Sequence, residues 1–294
     1  LYAGVMVAEN QNVTGEDTGG WCGGARCRGQ MPGPTLYLGQ SDGTYRDASD
    51  LFIDERKIPG QSLVGKLLVA DFNNDNTLDL FLADNGIGTH KGFRDTYFLS
   101  HSDGTWKESS RTHLSHSNYV NFDHGGAVGD IDGDGDIDVF SASSDDHKIR
   151  LYENDGSENF TTQIFADVFG VGKIDVADLD HDGDMDVLYL TGGDNQIGYF
   201  KNDGNQNFNK EVIITNFITP SSSHVIDFDN DGDLDILASS KGNNKLSIFE
   251  NTLDPVLGCM DIYAGNFNQD ATIDDGSCEG YPNQENYALS FDGQ

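Results

Sequence analysis

Short runs of apolar and β-branched residues alternate along the chain with turn-forming clusters. Between Lys173 and Thr215 the pattern is complete: KIDVA, DVLYLT, QIGYFK and FNKEVIIT are four strand-like runs, the first two separated by an Asp-rich loop and the next two by a GGDN turn. Runs of this length bounded by Gly, Asn and Asp predict β-strands, and Asp-Gly between two apolar runs predicts a hairpin because Gly accepts a positive φ. The second run of a unit is apolar at nearly every position, as in Val187, Leu188, Tyr189 and Leu190 or Ile236, Leu237 and Ala238. That is the pattern of a strand covered on both faces.

The unit recurs. The nonapeptide D-x-[DN]-x-D-x-x-x-D starts at Asp71, Asp130, Asp178 and Asp227, so successive copies stand about 59, 48 and 49 residues apart. A hairpin element keeps step with it: TLYLGQSDGTY from Thr35, TYFLSHSDGTW from Thr96, RLYENDGSENF from Arg150 and GYFKNDGNQNF from Gly198. Four short strands per repeat of this length predict an all-β fold, a β-propeller of four-stranded antiparallel blades, with a solenoid as the alternative architecture. LYAGVMVAEN at the start reads as a second strand whose Asp loop would lie upstream, and LSIFEN at 246–251 as a third strand without a fourth. We therefore expect three complete blades over about residues 60–212, flanked by two incomplete ones, with the rest of the ring encoded upstream of Leu1. The longer first step is assigned to an insertion around Gly86 to Asn121.

Charge narrows the range of partners. Fifty acidic against 17 basic residues give a formal net charge of -33, which excludes nucleic acid and anionic membrane faces as partners and favours cations. No run reaches the roughly 18 apolar residues of a membrane span, so direct membrane insertion is not expected. Cys22 with Cys27 and Cys259 with Cys278 form two local pairs without CxxC spacing. Two short-range disulfides and an oxidising, extracellular location are the expectation, against free thiols in a cytosolic protein.

The Asp loops carry the candidate chemistry. Side chains at positions one, three, five and nine of such a loop can converge while the backbone carbonyl of position seven adds an oxygen, which suits a hard cation taking six to eight oxygens. The four sets are Asp71, Asn73, Asp75, Thr77 and Asp79; Asp130, Asp132, Asp134, Asp136 and Asp138; Asp178, Asp180, Asp182, Asp184 and Asp186; and Asp227, Asp229, Asp231, Asp233 and Asp235. Position six must turn sharply and holds Asn76, Gly135, Gly183 and Gly232. The loops contain 18 of the 50 acidic residues, and carboxylates crowded in one turn repel one another unless a divalent ion lies among them. Calcium, about four ions with one per loop, fits better than magnesium, which demands compact octahedral geometry. Over positions one, three, five and nine the first loop has one carboxylate fewer, Asn73 replacing an Asp, and is expected to be the weakest site. A solvated acidic turn without metal is the alternative at each.

These loops and flanks such as HGGAVGDIDGDGDIDVF, from His124, resemble the FG-GAP or VCBS-type repeat, similar to the calcium-binding propeller at the head of integrin α-subunits. No copy retains a full Phe-Gly…Gly-Ala-Pro flank, which places the chain nearer the bacterial VCBS-like branch. The resemblance covers roughly residues 1–252 and implies a seven-bladed ring, of which about five blades are represented here. It also implies an extracellular or cell-surface location and a role in adhesion or carbohydrate attachment. Residues 253–280 form a second unit in which GCMDIYAGNFNQDATIDDGSC resembles a Cys-bracketed repeat of secreted Bacteroidetes proteins. Its Asp261, Asp270, Asp274 and Asp275 read as a solvated loop or as a further ion site. Residues 281–294 include ENYALSFDGQ, which resembles the first strand of a laminin-G or concanavalin-type domain.

The functional expectation is a calcium-stabilised binding module that presents propeller loops to a glycan or an extracellular protein, within a larger polypeptide. The alternative is a polysaccharide lyase or hydrolase on the same scaffold, whose candidates are Arg111, His113, His116, Tyr119 and His124. Trp21 and Trp106 are candidates for stacking on sugar rings. Trp106, however, occupies the blade position of Phe160 and Phe208 and reads as core.

Overall fold

The computed structural model describes residues 36–54, 64–84, 95–115, 123–252, 257–268 and 276–280, together with the backbone of a few short strands elsewhere. The order in the chain is β1 (Met6–Val7), β2 (Trp21–Cys22), β3 (Ala25–Arg26), β4 (Leu36–Gly39), β5 (Tyr45–Asp47), β6 (Phe52–Ile53), β7 (Val64–Ala70), β8 (Asp79–Asp84), β9 (Thr96–Ser100) and β10 (Trp106–Glu108). A one-turn helix, α1 (Ser110–His113), precedes β11 (Asp123–Gly129), β12 (Asp138–Ser143), β13 (Lys148–Asn154) and β14 (Phe160–Asp167). Then come β15 (Val171–Ala177), β16 (Asp186–Thr191), β17 (Gln196–Asn202), β18 (Phe208–Ile214), β19 (Pro220–Ile226), β20 (Asp235–Ser240), β21 (Lys245–Phe249), β22 (Leu257–Gly258) and β23 (Ile273–Asp274).

The chain is all-β, and its sheets are the expected blades. β11-β12-β13-β14 and β15-β16-β17-β18 are four-stranded antiparallel meanders, and β7-β8-β9-β10 repeats the arrangement. β19-β20-β21 is the three-stranded unit anticipated at LSIFEN, and Met6–Val7 pairs with β4, which pairs with β5, as the partial first blade. Among the described residues the sheets do not close into a ring. Each Asp loop joins the first strand of its blade to the second, with Ala70↔Asp79, Gly129↔Asp138, Ala177↔Asp186 and Ile226↔Asp235 as the pairs that flank it. All residues of β12 and β16 are buried.

Burial on both faces follows from how the blades stack. One core cluster joins Phe140, Ile149 and Leu151 of the β11–β14 blade to Val171, Val187 and Tyr189 of the next. A second joins Phe81, Tyr97 and Leu99 to Val139, Tyr152 and Phe160, and a third joins Leu188, Leu190 and Ile197 to Phe217, Ile236 and Ala238. The core therefore lies between sheets, where apolar side chains from facing blades interdigitate.

Two features depart from the sequence reading. The second blade gains a fifth strand, β6, parallel to β10. β10 is only three residues long, and Phe52 of β6 covers its edge by packing 5.0 Å from Phe98 and 6.1 Å from Trp106. The extra length around Gly86 to Asn121 is also not one block, because β9 and β10 inside it are an ordinary third and fourth strand. The added residues are split between the β8–β9 connection and the segment from β10 to β11. Trp106 is half-buried against the Leu80, Leu82 and Phe98 cluster and donates its Nε1–H to the Leu78 carbonyl at 2.9 Å, as a core residue would.

Beyond the blades, Cys259 and Cys278 are joined by a disulfide, and β22, just before Cys259, pairs in parallel with β23 inside the closed loop. The side chains of Cys22, Cys27 and Trp21 lie outside the described residues, as does ENYALSFDGQ.

Candidate metal centre

The loop backbone is shaped by its own side chains. The first Asp accepts from amides further round the turn: Asp130 from Gly133 (2.8 Å) and Gly135 (3.0 Å), Asp178 from Asp182 (3.2 Å) and Gly183 (3.0 Å), and Asp71 from Asp75 (3.1 Å) and Asn76 (2.7 Å). The fifth residue accepts from the seventh amide at Asp75, Asp134, Asp182 and Asp231, at 2.8, 2.9, 3.1 and 3.2 Å. Position six is left-handed throughout, with φ of 66° at Asn76, 94° at Gly135, 95° at Gly183 and 103° at Gly232. Position four is left-handed too, at Asn74, Gly133, His181 and Asn230. Sequence reasoning missed this second turn, although Asn in two of the four copies and Gly in a third were a signal for it.

The ninth Asp has a different role from the rest. Asp79, Asp138, Asp186 and Asp235 are buried, and one oxygen of each accepts the amide of loop position two, from Phe72, Ile131, Leu179 and Phe228 at 3.2, 3.0, 3.0 and 3.0 Å. In three blades the other oxygen accepts the amide of an Asn just past or at the end of the third strand: Asn154, Asn202 and Asn251, each at 2.8 Å. Those Asn side chains then reach into the preceding blade. Their Nδ2 groups donate to the carbonyls of Phe72 (2.7 Å), Ile131 (3.0 Å) and Leu179 (2.9 Å). A series of such bonds fastens each of the first three Asp loops to the next blade. The sequence held the clue, an Asn sixteen residues after the ninth Asp in LYEN, YFKN and IFEN. Ser100 stands in that place for Asp79, its amide donating at 2.7 Å.

Three loops gather carboxylates tightly. Oxygens of Asp130, Asp132 and Asp138, of Asp178, Asp180 and Asp186, and of Asp227, Asp229 and Asp231 lie within 4.8 Å of one another in each group. Position nine thus joins the cluster in the second and third loops and position five in the fourth. Burial pushes the Asp138 carboxyl up to about 7, Asp186 to about 6 and Asp233 to about 6, with neighbouring aspartates adding to the rise. Asp132, Asp184 and Asp229 also rise, chiefly through burial. Asp136 accepts from Asn74 of the first loop at 2.7 Å, and Asp184 rests against the Gly204 turn.

The donor set fits a hard divalent cation. It is built of carboxylate oxygens without His or Cys, the composition suited to calcium or magnesium and not to softer metals. Buried oxygens also lack a donor: Oδ1 of Asp180 and both oxygens of Asp233, which is 1% exposed. Such groups call for a positive partner. In the third loop part of that demand is met from within, since the Lys201 ammonium contacts Asp180 and lies 3.7 Å from Asp182.

Of the residues proposed for catalysis, Arg111, His113 and His124 lie among the described residues. Arg111 and His113 lie in α1, where the His113 ring packs edge-on against Tyr97 at 6.3 Å. His124 is on β11 and its Nδ1 is 2.8 Å from the Ser144 hydroxyl, while His116 and Tyr119 lie outside the described residues. In the tail, Asp261 accepts the Tyr263 amide at 2.9 Å as an ordinary turn, and the side chains of Asp270, Asp274 and Asp275 lie outside the described residues.

The FG-GAP-like repeat matches residues 71–141, 130–189 and 184–238, a span that takes in every Asp loop and more than half of the chain. The chain belongs to the FG-GAP-like repeat family. No curated protein matches it. Among solved structures, this FG-GAP-like chain is similar to an Agrocybe aegerita lectin described as recognising non-reducing terminal N-acetylglucosamine, with 14% identity and a TM-score of 0.45 over 71% of this chain. It is similar also to virginiamycin B lyase of Staphylococcus aureus, with 13% identity and a TM-score of 0.43 over 73% of the chain. A V. cholerae biofilm matrix protein matches at 18% identity and a TM-score of 0.39, over 68% of this chain and 33% of its own. The chain spans 55% of the lectin's length and 62% of the lyase's.

Proposed function

We propose that this FG-GAP-like chain is a calcium-stabilised, extracellular binding module that presents propeller loops to a glycan or protein partner. The observation that carries the reading is the recurrence, at one blade position in three blades, of three carboxylates whose oxygens lie within 4.8 Å of one another. Asp130, Asp132 and Asp138, Asp178, Asp180 and Asp186, and Asp227, Asp229 and Asp231 would hold the ions, with Asp71, Asp75 and Asp79 at the first loop. Bound calcium supplies the positive charge that lets these aspartates stay ionised side by side. The chain's own residues do the rest: the first and fifth aspartates shape the turn, and the ninth ties it to the third strand. The Cys259–Cys278 disulfide and the surplus of acidic residues support an oxidising, extracellular setting.

A binding role is favoured over catalysis because, of the histidine candidates among the described residues, His113 packs its ring against Tyr97 and His124 is hydrogen-bonded to Ser144. Calorimetric titration of chelated protein tests the cation reading. We expect about four calcium ions, with each site saturated a hundredfold above its Kd adding about 2.7 kcal/mol of stability. Unchanged melting after exhaustive EDTA treatment, with no ion detected by elemental analysis, would overturn it. Glycan-array binding in calcium that is retained after H113A and H124A tests the binding role, and turnover of a polysaccharide abolished by those changes would replace it with the enzyme.

A further inference from the structure

The third residue of the first two Asp loops meets a side chain supplied by the following blade, and the two pairs differ in a systematic way. In the second loop, Gln206 of the following blade donates its Nε2–H to Asp132 Oδ2 at 3.2 Å. In the first loop, Asn73 Nδ2 donates to Glu158 Oε1 of the following blade, also at 3.2 Å. Glu158 and Gln206 are equivalent residues, each the fourth of a turn that begins at Asp155 or Asp203 and ends at Phe160 or Phe208. Both turns are built alike. Asp155 accepts the amides of Ser157 and Asn159 at 2.8 and 3.1 Å, and Asp203 those of Asn205 and Asn207 at 3.0 and 3.3 Å. Glu158 and Gln206 are both left-handed, with φ of 75° and 60°. This backbone is uncommon for such residues and sends both side chains back toward the preceding blade's loop.

The carboxylate has therefore changed sides. Where the loop carries Asp132 its neighbour offers the amide of Gln206, and where the loop carries Asn73 its neighbour offers the carboxylate of Glu158. Asn73 Nδ2 also donates to Asp75 Oδ2 at 3.2 Å, so carboxylates from two blades converge on one nitrogen. Charge at the first loop is restored to that of an aspartate quartet: Asp71, Asp75, Asp79 and Glu158.

We propose that Glu158 supplies the fourth carboxylate of the first cation site from the neighbouring blade, making that site an inter-blade one rather than the weakest of the series. This rests on the reading of the Asp loops as cation sites. A cation held there bridges two blades, so its binding would stiffen the contact between them.

The test uses calcium titration by calorimetry on the whole chain, with D71N to mark the heat that belongs to the first site. E158Q places at this turn the residue that the equivalent turn already carries, so folding is expected to be unaffected, with EDTA-state melting as the check. We expect E158Q to weaken the first site about tenfold or more, because affinity follows the number of charged ligands. N73D in the E158Q background should restore it by returning the charge to the loop, a coupling read from the double-mutant cycle. Unchanged first-site affinity in E158Q, or no recovery with N73D, overturns the proposal while leaving the other sites standing. Absence of calcium binding in the unmodified chain removes the cation reading itself.

Discussion

Replacing Asn202 by alanine should loosen the joint between two blades without touching any proposed ligand. Asn202 is 2% exposed, and its Nδ2 donates to Ile131 O of the preceding blade at 3.0 Å and to Met185 O of its own at 3.2 Å. A buried acceptor left without a donor costs about 1–3 kcal/mol. The Ile131 carbonyl is deep between blades, and we assign it about 2 kcal/mol on that scale. The Met185 carbonyl is only partly buried, and we assign it about 1 kcal/mol on the same basis. The sum of about 3 kcal/mol corresponds to a fall in melting temperature of roughly 6–12 °C for a folding unit of about 150–250 residues. N202D, which has the same shape but turns an acceptor toward those carbonyls, should lose at least as much. N205A is the control, because exposed Asn205 donates its side chain only to the carbonyl of Asp203. Urea unfolding in excess calcium reads all three. A change in N202A smaller than about 0.5 kcal/mol, the range of ordinary surface substitutions, would refute the idea that these Asn side chains hold the blades together.

Two further outcomes follow from the charges. Burial holds Asp138 near 7 and Asp186 near 6, above the value of about 4 in an unfolded chain, so the folded, cation-free protein binds protons more tightly than the unfolded one. Their stabilising effect is complete below about pH 4 and is lost as the pH rises through about 6 and 7. Melting in EDTA should accordingly drop between about pH 5 and 8, while calcium affinity rises over the same window as protons leave the sites; an EDTA curve that climbs there would contradict the assignment. K201Q should tighten cation binding at the third loop several-fold by removing the ammonium that competes at Asp180 and Asp182. Terbium luminescence across a D178N-calibrated titration would register the change, and no change would show that Lys201 stands clear of the ion.

Residues close together in the chain made the repeat, the blade and the Asp loop legible from the sequence alone. A nine-residue turn is shaped by bonds between neighbours, such as the first Asp on the fifth and sixth amides, so the spacing of Asp and Gly already dictates its form. Alternation of apolar runs and turns likewise specifies strands, because which face is covered depends on residues a few positions apart. What the spacing does not encode is where each oxygen goes once sheets are stacked. That the ninth Asp turns inward to hold the third strand, that an Asn reaches the preceding blade and that β6 covers β10 depended on packing between sheets. The partners Asn73 and Glu158, or Asp132 and Gln206, are 85 and 74 residues apart, and only the docking of one blade on the next brings them within hydrogen-bond range.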